Sequence, residues 1–123
     1  MTAASFQFTD ERPQPAEATL VVRIPAGLNR KRRVLAEYAG PLRFPNYFGW
    51  NWDAFEECLR DLSWLDGVRK VIIVHRDVPF AKAPEQRAIY LSILRERCAA
   101  NGIAVEVHFP CSAEAMVLGA PAD

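Results

Sequence analysis

The sequence predicts an α/β domain built on a small three-stranded parallel sheet packed against helices. Three short apolar segments have the length and composition of strands, and segments with helical spacing of apolar residues lie between them. Because strands that alternate with helices pair in parallel through right-handed crossovers, we expect the three strands to form one sheet. The chain has 123 residues, half of them hydrophobic, which is enough for a core that needs no disulfides.

Each predicted strand is a run of β-branched and apolar residues. Residues 19–24 (TLVVRI) stop at Pro25, and residues 68–75 (VRKVIIVH) stop before Pro79. The second run is apolar on both faces at its centre, which is typical of a central strand. Residues 103–109 (IAVEVHF) alternate apolar and polar side chains and complete the sheet.

The first helix is predicted over residues 30–39, because Asn29 can cap its start and Gly40-Pro41 stops it. Its basic run, residues 30–33, is short and lacks interleaved aromatics, so it indicates a solvated face and makes direct nucleic-acid binding a weak hypothesis. An alternative is that these charges give the molecule a dipole that orients an acidic face toward its partner. The residues predicted to face inward are Val34, Leu35 and Tyr38.

The last long helix is predicted over residues 85–100. Pro84 suits its first turn, and Asn101-Gly102 suits a left-handed end. The residues predicted to face inward are Ala88, Leu91, Leu94 and Cys98.

The domain itself is expected to span residues 19–109. Residues 1–18 are polar and contain prolines, so they are predicted to form an irregular extension, with an edge strand over residues 5–8 (SFQF) as the alternative. Residues 110–123 contain AMVL between small residues, and both a short helical turn and a trailing tail stay open for them.

The most informative stretch is residues 44–62 (FPNYFGWNWDAFEECLRDL). Asn51 can cap a helix that begins near Trp52, and Gly49 permits the backbone bend that such an entry needs. Apolar residues recur at helical spacing on one side of this helix, and Cys58 widens that side. The residues of this apolar stripe are Trp52, Phe55, Leu59 and Leu62.

Four carboxylates share the opposite face of that helix. Glu57 lies one turn from Asp53 and one turn from Asp61, and like charges at this spacing repel by a few tenths of a kcal/mol per pair. Such a row indicates an absent cationic partner, whereas the alternative is an ordinary solvated face. The aromatics that precede the helix favour the partner, because rigid aromatics beside charge anchor protein interfaces. The residues concerned are the acids Asp53, Glu56, Glu57 and Asp61 and the aromatics Tyr47, Phe48 and Trp50, of which Phe48 is expected in the core with Trp52.

Composition and motifs argue against enzymes, metal sites and nucleic-acid binders. The 15 basic and 15 acidic residues balance, whereas a nucleic-acid binder has a dominant basic surface. Carboxylates along one convex helix cannot flank a scissile bond, and no GxSxG, phosphate-loop or HExxH pattern is present. His75 and His108 lie alone at predicted strand ends, as structural histidines do. We therefore predict no catalytic residue, no metal and no cofactor.

The cysteines and the N-terminus predict the compartment. Cys58, Cys98 and Cys111 follow no metal or redox spacing, which indicates reduced thiols. The start of the chain lacks the charged and apolar regions of a signal peptide, and no apolar run approaches the roughly 18 residues that span a membrane. A cytoplasmic protein without a membrane partner is expected.

Residues 42–65 (LRFPNYFGWNWDAFEECLRDLSWL) closely resemble the signature of the barstar family, small inhibitors of bacterial ribonucleases. In that family a Pro-x-Tyr-aromatic-Gly-x-Asn loop leads into an Asp-bearing helix that plugs the nuclease active site. The resemblance implies the same fold and an immunity protein, or antitoxin, against a basic, extracellular-type ribonuclease such as a barnase. The alternative is a barstar-like module that binds another basic protein, either a non-ribonuclease toxin or a regulatory partner.

The resemblance also implies roles for single residues. Tyr47 matches a contact tyrosine, Asp53 matches the principal helix aspartate, and Glu57 stands where a second aspartate can occur. Glu56 falls where an aromatic contact can occur, and Trp64 lies two residues past a contact tryptophan. A further acidic contact aligns with either Glu96 or Arg97. The predicted partner-binding residues are Tyr47, Gly49, Trp50, Asn51, Asp53, Glu56, Glu57, Asp61 and Trp64.

Overall fold

A computed structural model describes residues 6–100 and 102–118 and contains a parallel sheet of four strands in the order β1-β4-β3-β2. The strands are β1 (Gln7–Phe8), β2 (Thr19–Ile24), β3 (Lys70–His75) and β4 (Ala104–Phe109). The helices are α1 (Lys31–Ala39), α2 (Trp52–Asp61), α3 (Pro84–Cys98) and α4 (Glu114–Leu118), the last preceded by a 3-10 turn at Cys111–Ala113.

The three strands predicted from sequence are confirmed, with β3 in the centre. Its pairing with β2 runs from Thr19–Lys70 to Ile24–His75 without a break, and its pairing with β4 is equally regular. Alternate side chains of these strands join α1, α2 and α3 in one hydrophobic core. Val71 and Ile73 of β3 are fully buried there, as expected for a central strand.

The predicted strand count of three is wrong, because β1 adds a fourth strand. Gln7 and Phe8 pair in parallel with His108 and Phe109 of β4, and the Thr9 N–H donates to the Phe109 carbonyl at 2.8 Å. The pairing covers the backbone of β4 at its last two residues, which would otherwise be part of an open sheet edge. The edge-strand alternative for residues 5–8 is thus the correct one for residues 7–8, while Ser5 lies outside the described residues.

The prediction that Asn29 caps α1 is also wrong. Arg30 occupies the cap position without a capping side chain, and the Asn29 Oδ1 accepts a hydrogen bond from the Lys82 N–H at 3.0 Å. Asn29 therefore ties the start of α1 to the loop that precedes α3. The inward-facing residues of α1 are confirmed as Val34, Leu35 and Tyr38.

In α3, the first turn at Pro84 is confirmed, but the predicted buried face is only partly correct. Leu91 and Leu94 are buried and Cys98 is half-buried against the core, whereas Ala88 is exposed. Tyr90 is buried instead, because its hydroxyl hydrogen-bonds to His75 and Tyr38 beneath the helix. The remaining buried residues of α3 are Ile93 and Arg97. The predicted end at residues 100–102 is wrong, because α3 ends at Cys98 and its cap residue Ala99 is right-handed (φ −87°). Gly102 has a positive φ (103°) but lies in the loop after the helix, and Asn101 lies outside the described residues.

The segment after β4 forms a helical turn and so follows the first of its two alternatives. Val117 of α4 is buried, and its carbonyl accepts a hydrogen bond from the Arg95 Nη2 at 2.7 Å. Residues 119–123 lie outside the described part of the chain. None of the helices within residues 6–100 and 102–118 has the length and apolar character needed to cross a membrane.

Candidate protein-binding site

Residues 44–51, which we call the aromatic loop, send most of their rings inward and one outward. Phe48 is buried, as predicted, with its ring centroid 5.0 Å from that of Phe44. Trp50 is half-buried, 5.0 Å from Phe48, and the Arg32 guanidinium lies 4.4 Å above its ring. Tyr47 alone projects, with 80% of its surface exposed. The loop therefore presents one tyrosine from a packed aromatic base.

The backbone bend before α2 lies at Trp50, not at Gly49 as predicted. Trp50 has a left-handed conformation (φ 58°), which costs roughly 1–2 kcal/mol for a residue with a side chain. Its contacts with Phe48 and Arg32 offset that cost. A Cβ at Gly49 would lie 3.1 Å from the Asn51 Nδ2, so a side chain there would press against the capping amide.

Asn51 caps α2 as predicted. Its Oδ1 accepts a hydrogen bond from the Ala54 N–H at 2.8 Å, which satisfies one of the free donors of the first turn. Trp52 fixes the same end of the helix from the other side. Its indole N–H donates to the Gln86 Oε1 of α3 at 2.9 Å, and its ring packs edge-on against Phe80.

The C-terminal end of α2 is held by a buried arginine of α3. The Arg97 Nε donates to the Leu59 carbonyl at 2.7 Å, and its Nη2 donates to the Ile103 carbonyl at 2.6 Å. A guanidinium is well suited to this end, where the helix leaves carbonyls unsatisfied. Arg97 therefore supports α2 from within, whereas its neighbour Glu96 is exposed.

The four carboxylates of α2, which we call the acidic face, lie outward as predicted. Asp53, Glu57 and Asp61 are exposed, and Glu56 is half-exposed, 4.0 Å from Arg60 in a weak ion pair. Within residues 6–100 and 102–118, Asp53 and Glu57 have no ion-pair partner. The acidic face thus carries uncompensated charge.

The opposite side of α2 packs into the hydrophobic core. Phe55 and Leu59 are fully buried, and Cys58 lies beside them. Burial raises the pKa of the Cys58 thiol, and the charges of Glu57 and Asp61 raise it further. The raised pKa favours the thiol over the thiolate, which is the nucleophilic form.

A groove between α2 and α3 continues the acidic face. One cavity of about 300 Å³ lies against Glu56, Ile93 and Glu96 and is also lined by Arg60 and Arg97. A second, of about 370 Å³, adds Asp53 and Ile89 to Glu56, Ile93 and Glu96. Ile89 lines the second cavity and is 38% exposed. The sequence did not indicate Ile89 as a surface residue, because its exposure depends on how α3 lies against α2.

The family model described as barstar (barnase inhibitor) matches residues 18–110. The chain belongs to the barstar family. No curated protein and no solved structure gives a significant match. The matched range covers β2 through β4 and therefore includes the aromatic loop and α2, whereas β1 and α4 lie outside it.

Trp64 and His75, which the sequence also singled out, make their contacts within the fold of this barstar-family chain. The Trp64 indole N–H donates to the Leu42 carbonyl at 2.8 Å, and its ring packs edge-on against Phe44. His75 is buried between the His108 carbonyl and the Tyr90 hydroxyl. In the part of the chain that the structure describes, no three His, Cys, Asp or Glu side chains are grouped as metal ligands.

Proposed function

We propose that this barstar-family chain is a cytoplasmic immunity protein that binds the basic active site of a barnase-type ribonuclease and blocks it. The observation that carries the proposal is the exposed pair Asp53 and Glu57, uncompensated within the described residues and beside the exposed Tyr47. Both carboxylates stand on a helix that is fixed at its two ends by Asn51 and Arg97.

The proposed mechanism is occupation of phosphate sites by carboxylates. A ribonuclease active site is basic because it binds phosphates, and carboxylates on successive helical turns, about 5.4 Å apart, can pair with its cations. The nuclease loses access to RNA, and the inhibitor needs no chemistry of its own. Opposite charges on the two surfaces accelerate encounter, and desolvated ion pairs slow dissociation.

Tyr47 and the groove supply the apolar part of the proposed interface. Tyr47 can insert as a rigid aromatic anchor, because the buried Phe48 holds the loop beneath it. In the groove, the stem of a partner's arginine or lysine can lie on Ile89 while its charged end meets Glu56 or Glu96. We therefore add Glu96 and Ile89 to the proposed interface and assign Trp64 to support of the aromatic loop.

A second candidate function is binding of another basic protein, either a toxin without ribonuclease activity or a regulatory partner. Two differences from the family pattern favour it: Glu57 is one methylene longer than aspartate, and Glu56 is charged where an aromatic contact can occur. Direct RNA binding through residues 30–33 is disfavoured, because Arg32 already stacks on Trp50.

The test is affinity capture from the source organism's proteins, followed by inhibition assays on any captured ribonuclease. The neutral, equal-sized variant Asp53→Asn/Glu57→Gln is compared with Glu11→Gln/Glu17→Gln, which removes two exposed charges elsewhere. Loss of two charged hydrogen bonds should raise the inhibition constant at least about 100-fold in the first variant only. Equal inhibition by both variants would refute the role of α2. Capture of a basic protein without ribonuclease activity would establish the second candidate.

A further inference from the structure

A second charged cavity, of about 270 Å³, lies at the carboxyl ends of β2 and β3 and shares no residue with the acidic face. Three arginines line it: Arg12 from the segment between β1 and β2, Arg23 from β2, and Arg76 just after β3. We call it the arginine cavity. In open parallel sheets, the carboxyl ends of the strands are where ligands commonly bind.

The register of the sheet brings two of these arginines together. Arg23 pairs with Val74, and Arg76 follows Val74 by two residues, so both arginines extend from the same face of the sheet. Their Cα atoms are therefore roughly 8 Å apart, within reach of two long side chains. Arg12 is held nearby, because the Arg23 Nη2 donates to the carbonyl of the adjacent Pro13 at 2.9 Å.

The three arginines are exposed, and none of them forms an ion pair within the described residues. The ion pairs present in residues 6–100 and 102–118 involve other side chains, and Glu37 is the one acid that lines the cavity. Three guanidiniums and one carboxylate give the cavity a formal charge of +2. A phosphate monoester carries a charge of about −1.5 to −2 at neutral pH and accepts the forked hydrogen bonds of arginine.

The remaining residues of the arginine cavity are Ile24, Pro25 and Val74. Ile24 is fully buried, so Pro25 and Val74 supply the accessible apolar wall. A bare phosphate would leave this wall in contact with water, whereas a phosphate attached to a flat heterocycle would cover it. The Glu37 carboxylate can accept a hydrogen bond from an amino group on such a ring. We propose that the arginine cavity binds a small organic phosphate of the nucleoside monophosphate class.

The cavity depends on a segment outside the family match. The match begins at residue 18, whereas Arg12 and Pro13 precede it. Ligand binding should therefore hold the segment between β1 and β2 against the sheet. Slower amide exchange in residues 10–17 is the expected accompanying signal.

The test is calorimetric titration of the full chain with adenosine monophosphate, adenosine and inorganic phosphate. The variant is Arg76→Gln, whose side chain forms no hydrogen bond within the described residues. Its control is Arg33→Gln, the same change at an exposed arginine of α1 outside the cavity. Removal of one charged phosphate contact should weaken binding of the monophosphate about tenfold or more in Arg76→Gln and less than about twofold in the control.

Three outcomes would overturn the proposal. They are the absence of saturable binding of the monophosphate to the wild type, equal weakening in the two variants, and binding of inorganic phosphate as tight as that of the monophosphate. Urea midpoints equal to that of the wild type establish that the variants are folded. Ribonuclease inhibition is measured on the same samples, and because Arg76 lies outside the acidic face, it should be unchanged in Arg76→Gln.

Discussion

Acid should destabilise this protein through His75, a buried histidine whose two ring nitrogens are both occupied. The Nδ1 lies 3.0 Å from the His108 carbonyl, which can only accept, so the Nδ1 carries the proton. The Nε2 therefore accepts from the Tyr90 hydroxyl at 2.7 Å, and Tyr90 in turn accepts from Tyr38. A second proton on His75 would reverse this chain of hydrogen bonds. Burial lowers the pKa of His75 to about 3.

The sign and size of the effect follow from the two pKa values. In the unfolded chain the imidazole has a pKa of about 6.5, so between pH 6.5 and about 3 the unfolded state binds a proton that the folded state does not. The stability that neutral His75 contributes is complete above pH 6.5 and is lost as the pH falls. Each pH unit below 6.5 removes about 1.4 kcal/mol, so the loss at pH 5.0 is about 2 kcal/mol.

The assay is urea unfolding at pH 7.5 and 5.0, followed by tryptophan fluorescence, for the wild type and His75→Gln. The free energy of unfolding should fall with pH by about 2 kcal/mol more in the wild type than in the variant. The chain contains one other histidine, and His108→Gln is the matched control, in which the fall assigned to His75 should persist. An equal fall in the wild type and His75→Gln would refute the reasoning.

Two further predictions concern the support and the charge of α2. Arg97→Met should lower the free energy of unfolding by about 2–4 kcal/mol, because it leaves the carbonyls of Leu59 and Ile103 without their donor. The control Glu96→Gln, at the exposed neighbour, should change the free energy of unfolding by less than about 0.5 kcal/mol. Glu57→Gln should raise the free energy of unfolding by a few tenths of a kcal/mol, because it removes both like-charge pairs, and urea unfolding measures this effect. The same variant should weaken partner binding, which inhibition assays measure.

The parts of the fold that local signals encode were predictable from the sequence. The β-branched runs predicted β2, β3 and β4, and Asn51 predicted the start of α2, because a capping side chain acts within one helical turn. The acidic face was also predictable, since the 3.6-residue period decides which side chains of a helix lie together. These features need no knowledge of the rest of the chain.

The features that were missed depend on contacts between distant segments. Asn29 is a residue type that commonly caps helices, but its side chain accepts a hydrogen bond from the Lys82 N–H, 53 residues away. Tyr90 is buried in place of Ala88 because its hydroxyl bonds to His75 and Tyr38. Strand β1 has two residues, too few for a periodic signal, and it exists because β4 offers an unpaired edge.

The like-charge repulsion on the acidic face destabilises α2 by less than the burial of its apolar side stabilises it. Its two like-charge pairs cost a few tenths of a kcal/mol each, whereas full burial of Phe55 and Leu59 contributes about 1.5–3 kcal/mol per side chain. The core therefore holds Asp53 and Glu57 in place against their repulsion, and a cationic partner would relieve that repulsion without any rearrangement of the helix. If the acidic face were solvated and had no partner, Glu57→Gln would stabilise the fold but would weaken no complex. Opposite changes in stability and binding are thus the signature of an interface.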